Sequence, residues 1–128
     1  GHMAIIVDID DTLLRYGTQP IRRVIDYVNS LPGAKYIVTG RPESQRAETV
    51  RALKAAGVKY NRLYMNPYST SNSLKHKEEI AQKLKGSVSL AIENNPEQRA
   101  MYARYGIKTL DPASIKSQDE TKKFWSFL

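Results

Sequence analysis

The stretch Ala4-Ile5-Ile6-Val7-Asp8-Ile9-Asp10-Asp11-Thr12 decides how this chain is read. A short apolar run rich in β-branched residues, with acids at its end, is the pattern of a parallel strand buried on both faces. The spacing predicts a central strand over 4–9. Such a strand needs helices on both of its sides, and the rest of the sequence must supply them.

It does so in alternation. Pro20–Leu31 carries Ile21, Val24, Ile25 and Val28 at helical spacing and stops at Pro32-Gly33. Tyr36-Ile37-Val38 reads as a second strand ending at Thr39-Gly40. Pro42 suits a first helical turn, and the inner stripe of that helix is expected at Ala47, Val50, Leu53 and Ala56, with Gly57 as its cap. Leu63-Tyr64-Met65 is a third strand, and Asn66–Ser73 a loop. A helix from about Lys75 to Leu84, a strand over Val88–Ile92, a helix opened by Pro96 and closed by Gly106, and a strand over Ile107–Leu110 complete the pattern. The expectation is a doubly wound, three-layer α/β domain with a central, mostly parallel five-stranded sheet.

The chain has 128 residues. Gly1-His2-Met3 reads as the remnant of a removed tag, and 4–128 as a single domain. With 41% hydrophobic and 26% charged residues, the composition is that of a globular domain, not a disordered segment. Cysteine is absent, which excludes disulfides, thiolate metal sites and a cysteine nucleophile. No apolar run approaches membrane-spanning length, so a soluble, cytoplasmic protein without membrane contact is expected. Twenty Lys and Arg against thirteen Asp and Glu give a net charge of +7, a balance that attracts polyanions. The bases are spread over the chain with no basic tail.

In open parallel sheets ligands sit beyond the carboxyl ends of the strands. Polar chemistry clusters there in this sequence. Asp8, Asp10, Asp11 and Thr12 follow the first strand, Thr39 and Arg41 the second, and Glu93, Asn94 and Asn95 the fourth. Lys75 and Lys77 open the helix before the fourth strand.

Asp8-Ile9-Asp10-Asp11-Thr12 resembles the first motif of the haloacid dehalogenase superfamily, phosphohydrolases with an aspartate nucleophile. Thr39-Gly40-Arg41, Lys77-Glu78-Glu79-Ile80 and Ile92-Glu93-Asn94 follow in the superfamily's order. The resemblance spans about 4–110 and implies a HAD-like, Rossmann-like core. It implies Asp8 as nucleophile and Asp10 as the acid that protonates the leaving oxygen and then activates water. A general acid beside another carboxylate holds its proton more readily. Thr39 would donate its hydroxyl to a phosphoryl oxygen, and a lysine would neutralise Asp8 and the transferring group. The run from Lys77 favours that residue, with Lys75 as rival. His76 is expected on the surface. Thr12 would brace the loop, and Asp11 stands where many members carry Gly.

The resemblance also implies Mg²⁺, held by the Asp8 carboxylate, the backbone carbonyl of Asp10, and a residue after the fourth strand. Members commonly carry an acidic pair there; this chain has Glu93-Asn94. Either Asn94 ligates with one charge fewer, or Glu93 ligates instead.

Neither the gap from Thr12 to Thr39 nor that from Thr39 to Lys77 has room for a cap domain, so the site should stay open to a polymer end. Thr39-Gly40-Arg41, the Lys77–Ile80 run, and Leu90-Ala91-Ile92 followed by Met101–Ile107 also look like the phosphatase domain of polynucleotide kinase-phosphatases. That resemblance implies removal of phosphate from nucleic-acid 3′ ends or nucleotides, with Thr39, Gly40 and Arg41 binding substrate; a guanidinium suits the phosphate. A small phosphometabolite, a phosphoprotein, or phosphate binding without catalysis are the alternatives. Tyr60, Tyr64 and Tyr68 could stack bases, though packing is their commoner use. The tail Phe124–Leu128 could pack on its own domain, join two copies into a homo-oligomer, or be disordered.

Overall fold

A computed structural model of the chain describes residues 2–117. Strand β1 (Ala4–Val7) is buried at every position. It lies at the centre of a five-stranded parallel sheet with β4 (Lys35–Pro42), β5 (Arg62–Asn66), β6 (Val88–Ile92) and β7 (Lys108–Leu110), in the order β5-β4-β1-β6-β7. Helices α1 (Arg22–Ser30) and α2 (Arg46–Ala55) cover one face, α3 (Ser73–Leu84) and α4 (Pro96–Arg104) the other. The period of two along β1 serves both layers. Ile5 and Val7 pack with Val24, Ile25, Val28 and Leu53, while Ala4 and Ile6 pack with Ala81, Met101 and Tyr102. This is the expected fold class, and no cap domain interrupts it among the described residues.

The strand order reverses at β1, between β4 and β6, which leaves a crevice at the carboxyl ends of these strands. Several details shape it. β1 ends at Val7, two residues before the expected end, because the Ile9 carbonyl turns to accept from the N–H groups of Thr12, Leu13 and Leu14. Asp11 has φ 61° in that turn. A left-handed position explains why glycine suits it and why aspartate, with its short polar side chain, is tolerated.

A hairpin absent from the sequence reading follows. Strands β2 (Leu14–Arg15) and β3 (Gln19–Pro20) pair antiparallel at the edge of the crevice. Pro20 therefore ends a strand and does not open α1, which starts two residues later, after Ile21 donates its N–H to Leu13 O.

The α2 stripe also differs from expectation. Thr49, Leu53 and Ala56 face inward, Ala47 is exposed, and Val50 is 38% exposed. A 3-10 turn over Glu43–Gln45 precedes the helix, and Thr49 turns its hydroxyl to Arg41. Gly40 lets α3 approach β4, since a Cβ there would lie 2.3 Å from Ser73 Oγ.

Candidate active site

The end of β1 delivers Asp8 into the crevice, where Lys77 and Thr12 hold it. Lys77 Nζ, from α3, donates to Asp8 Oδ1 at 2.8 Å and to Glu93 Oε1 at 2.7 Å. Thr12 Oγ1 donates to Asp8 Oδ2 at 3.0 Å. Lys77 is 2% exposed and Glu93 1%, so both charges have left water. Burial alone would lower the Lys77 ammonium, but the Asp8 and Glu93 carboxylates outweigh it and hold the group charged, above its ordinary range. Burial first, and the Asp8 charge second, push the Glu93 carboxyl up to about 7 against the pull of Lys77.

Asp10 faces the opposite wall. Arg41, at the end of β4, grips it with two parallel bonds, Nη2 to Oδ1 at 2.8 Å and Nε to Oδ2 at 3.1 Å. Arg41 Nη2 also donates to Gly17 O at 2.9 Å, and Nη1 to Thr49 Oγ1 at 3.2 Å. The bonds to Asp10, set against partial burial, hold the guanidinium above its usual range. The nearest charged partner of Asp10 is thus a cation, not the neighbouring carboxylate that sequence suggested. Between these walls lies a cavity of about 600 Å³, lined among others by Asp8, Asp10, Gly40, Arg41, Lys77 and Asn94.

Asn94, after β6, closes the cavity floor. One end of its amide lies 2.7 Å from Asp8 Oδ2, 3.1 Å from Glu93 Oε2 and 3.2 Å from Asp10 O. All three are acceptors, so the NH₂ group fits there as donor. Half a turn about the last bond would instead bring the amide oxygen beside Asp8 Oδ2 and Asp10 O. That set is all oxygen and suits a hard cation such as Mg²⁺. It is poor in charge, with one carboxylate, and no cluster of three or more His, Cys, Asp or Glu suited to a metal occurs among the described residues. Glu93, the alternative ligand, is already engaged by protein donors at both oxygens. Its Oε1 is taken by Lys77 and its Oε2 accepts the Asn95 N–H at 3.0 Å.

The lysine that reaches Asp8 is Lys77. Lys75 is exposed, with its ammonium 4.5 Å from the Tyr68 ring centroid. His76 is 3% exposed, not on the surface as expected; it turns toward β5, where Nε2 lies 3.3 Å from Tyr64 O. Thr39 is fully buried and lies beneath the cavity lining, and its Oγ1 accepts the Arg41 N–H at 3.0 Å. Its hydroxyl proton is still free to donate, but a phosphoryl oxygen would have to come down to it. Tyr60 and Tyr64 pack against the core, and the Tyr68 hydroxyl bonds Glu79. The Phe124–Leu128 tail lies outside the described residues. Thr18, Glu48, Ser73 and Gln98 also line the cavity and had no motif to announce them.

The fold and site together define a three-layer α/β domain with a carboxylate–lysine centre at its topological switch point. Its architecture is similar to that of a core domain from Streptococcus pneumoniae TIGR4, provisionally named a phosphoglycolate phosphatase. The TM-score is 0.54 at 13% sequence identity, over 100% of this chain and 98% of that one. No family model matches the sequence, and no curated protein does either.

Proposed function

We propose that the protein is a phosphomonoesterase whose nucleophile is Asp8. The observation that carries this reading is the buried Lys77 ammonium on Asp8 Oδ1, with Thr12 on the other oxygen, which aims one carboxylate into an open cavity. A carboxylate fixed in one orientation and flanked by a cation is suited to attack phosphorus. An Asp8 oxygen forms a bond to phosphorus as the ester oxygen leaves. Arg41 turns from Asp10 to the substrate anion, and the freed Asp10 takes up a proton from solvent and passes it to the leaving oxygen. Asp10 then takes a proton from the water that attacks the acyl phosphate, restoring Asp8 and releasing phosphate. Lys77 balances the charge throughout.

Five carboxylates and two cations line the cavity, so a dianionic phosphate meets net repulsion. Mg²⁺ held by Asp8, the Asp10 carbonyl and Asn94 would supply the missing positive charge.

Nucleic-acid 3′ ends or nucleotides are the substrates we infer. What supports this is the absence of a cap between the site's elements, the net charge of +7, and the Thr39-Gly40-Arg41 run. The name of the Streptococcus pneumoniae neighbour favours a second reading, a small phosphometabolite. Phosphate release from a panel of 3′-phospho and 5′-phospho oligonucleotides, mononucleotides and sugar phosphates decides between them. Oligonucleotides and nucleotides should lead, and a large preference for sugar phosphates reverses the assignment. Asp8→Asn should lower turnover by on the order of 10³-fold or more. Residual turnover near wild type would rule out Asp8 as nucleophile, and no release by the wild type from any ester would leave a phosphate-binding module.

A further inference from the structure

The β2–β3 hairpin carries a residue that the chemistry above does not use. Its loop is Tyr16-Gly17-Thr18, between the paired Arg15 and Gln19, with Tyr16 at φ 54° and Gly17 at φ 85°. Two consecutive left-handed residues make a tight hairpin turn whose first position suits Asn, Asp or Gly, and a bulky side chain there is unfavourable. No local contact offsets that strain. Tyr16 is 83% exposed, and neither its side chain nor that of the exposed Arg15 has a hydrogen bond, ion pair or ring contact among the described residues. Strain kept at an exposed position without a structural return points to function.

The location says which function. Gly17 and Thr18 line the cavity that holds Asp8 and Asp10, and Arg41 ties the turn to the site by bonding both Gly17 O and Asp10 Oδ1. The unpartnered Tyr16 ring and Arg15 guanidinium therefore belong to the turn that lines an acidic cavity of about 600 Å³, with room for more than a phosphate. The other tyrosines near the site are occupied: Tyr64 meets Tyr36 edge-on with centroids 6.1 Å apart, and the Tyr68 ring is covered by Lys75.

We propose that Tyr16 is a specificity residue whose ring stacks on the base of the nucleotide bearing the phosphate to be removed. Every base offers a π face, so the contact selects nucleotides over other phosphomonoesters without selecting a sequence. The inference rests on the phosphatase reading and narrows its substrate class.

The test uses Tyr16→Asn, which removes the ring and suits the turn, with Tyr16→Trp as the stacking-competent control. Steady-state kinetics are run on a nucleoside 3′-monophosphate, a 3′-phospho oligonucleotide and glycerol phosphate. In Tyr16→Asn, KM for both nucleotide substrates should rise about 10-fold, within the range that loss of one stacked base gives. Their kcat should stay within about 2-fold, glycerol phosphate kinetics should be unchanged, and Tyr16→Trp should restore KM. The melting temperature of Tyr16→Asn should equal or exceed that of wild type, which separates loss of stacking from loss of folding. A nucleotide KM unchanged in Tyr16→Asn, or an equal loss on glycerol phosphate, overturns the assignment while leaving the phosphatase reading standing. Absence of turnover on all three substrates in the wild type overturns both.

Discussion

Glu93 and Asn94 are adjacent in sequence and opposite in task. Glu93 is buried against Asp8 and Lys77, and its carboxyl is pushed up to about 7 from an ordinary 4.5. The folded state binds that proton more tightly than the unfolded chain. Its contribution to stability is therefore full below about pH 4.5 and lost as the pH rises through about 7. The loss amounts to about 3 kcal/mol as an order of magnitude. Urea unfolding of wild type and Glu93→Gln, with chelator present, reads this directly. Glutamine mimics the protonated acid, so the variant should gain on wild type between pH 5 and 8. A stability difference that stays flat over that range would mean that Glu93 titrates normally. Asn94 supplies the site with a donor in place of a charge. Asn94→Asp removes the amide bonds to Asp8 and Asp10 O and adds a carboxylate beside two others. Without metal the variant should lose about 1–3 kcal/mol, and its melting temperature should respond to Mg²⁺ at lower concentration than that of wild type. An unchanged Mg²⁺ midpoint would show that position 94 is not a ligand.

At the scale of elements, legibility follows the length and purity of the apolar pattern. β1 could be read from sequence because a strand buried on both faces leaves an unbroken apolar run, as Ala4–Val7 does, and β6 shows the same pattern broken at the exposed Ser89. The α2 stripe was misread because its leading inward residue is polar. Thr49, Leu53 and Ala56 have true helical spacing, yet an apolar scan skips Thr49 and locks onto Ala47, Val50 and Leu53, whose strict three-residue step drifts around the helix. His76 hid for the same reason. It lies one turn before Ile80 on α3, and burial lowers its readiness to take a proton. The β2–β3 hairpin had no signal, since two-residue strands show no period and Tyr16-Gly17 is not a preferred turn pair. Candidate site residues were visible because they fall at strand ends. Their partners were not: the Arg41–Asp10 grip spans 31 residues and the Lys77–Asp8 bond 69, distances at which only the closed sheet brings side chains together.

Over the whole molecule, the charge is distributed against the local chemistry. The chain carries +7, yet its cavity is lined by five carboxylates and two cations, both of which are already engaged with carboxylates. The positive excess therefore lies outside the acidic centre. A small phosphomonoester feels mainly the centre, whereas an oligonucleotide also spans the surrounding surface and displaces counterions from its backbone. Its apparent affinity should then fall with log salt at a slope of about −0.7 per phosphate neutralised. With about three phosphates in contact, KM for a 3′-phospho oligonucleotide should rise roughly 20-fold between 50 and 200 mM salt. KM for glycerol phosphate should shift far less over the same range. Parallel salt curves for the two substrates would mean that the surface charge plays no part in recognition, and the nucleic-acid assignment would lose its electrostatic support.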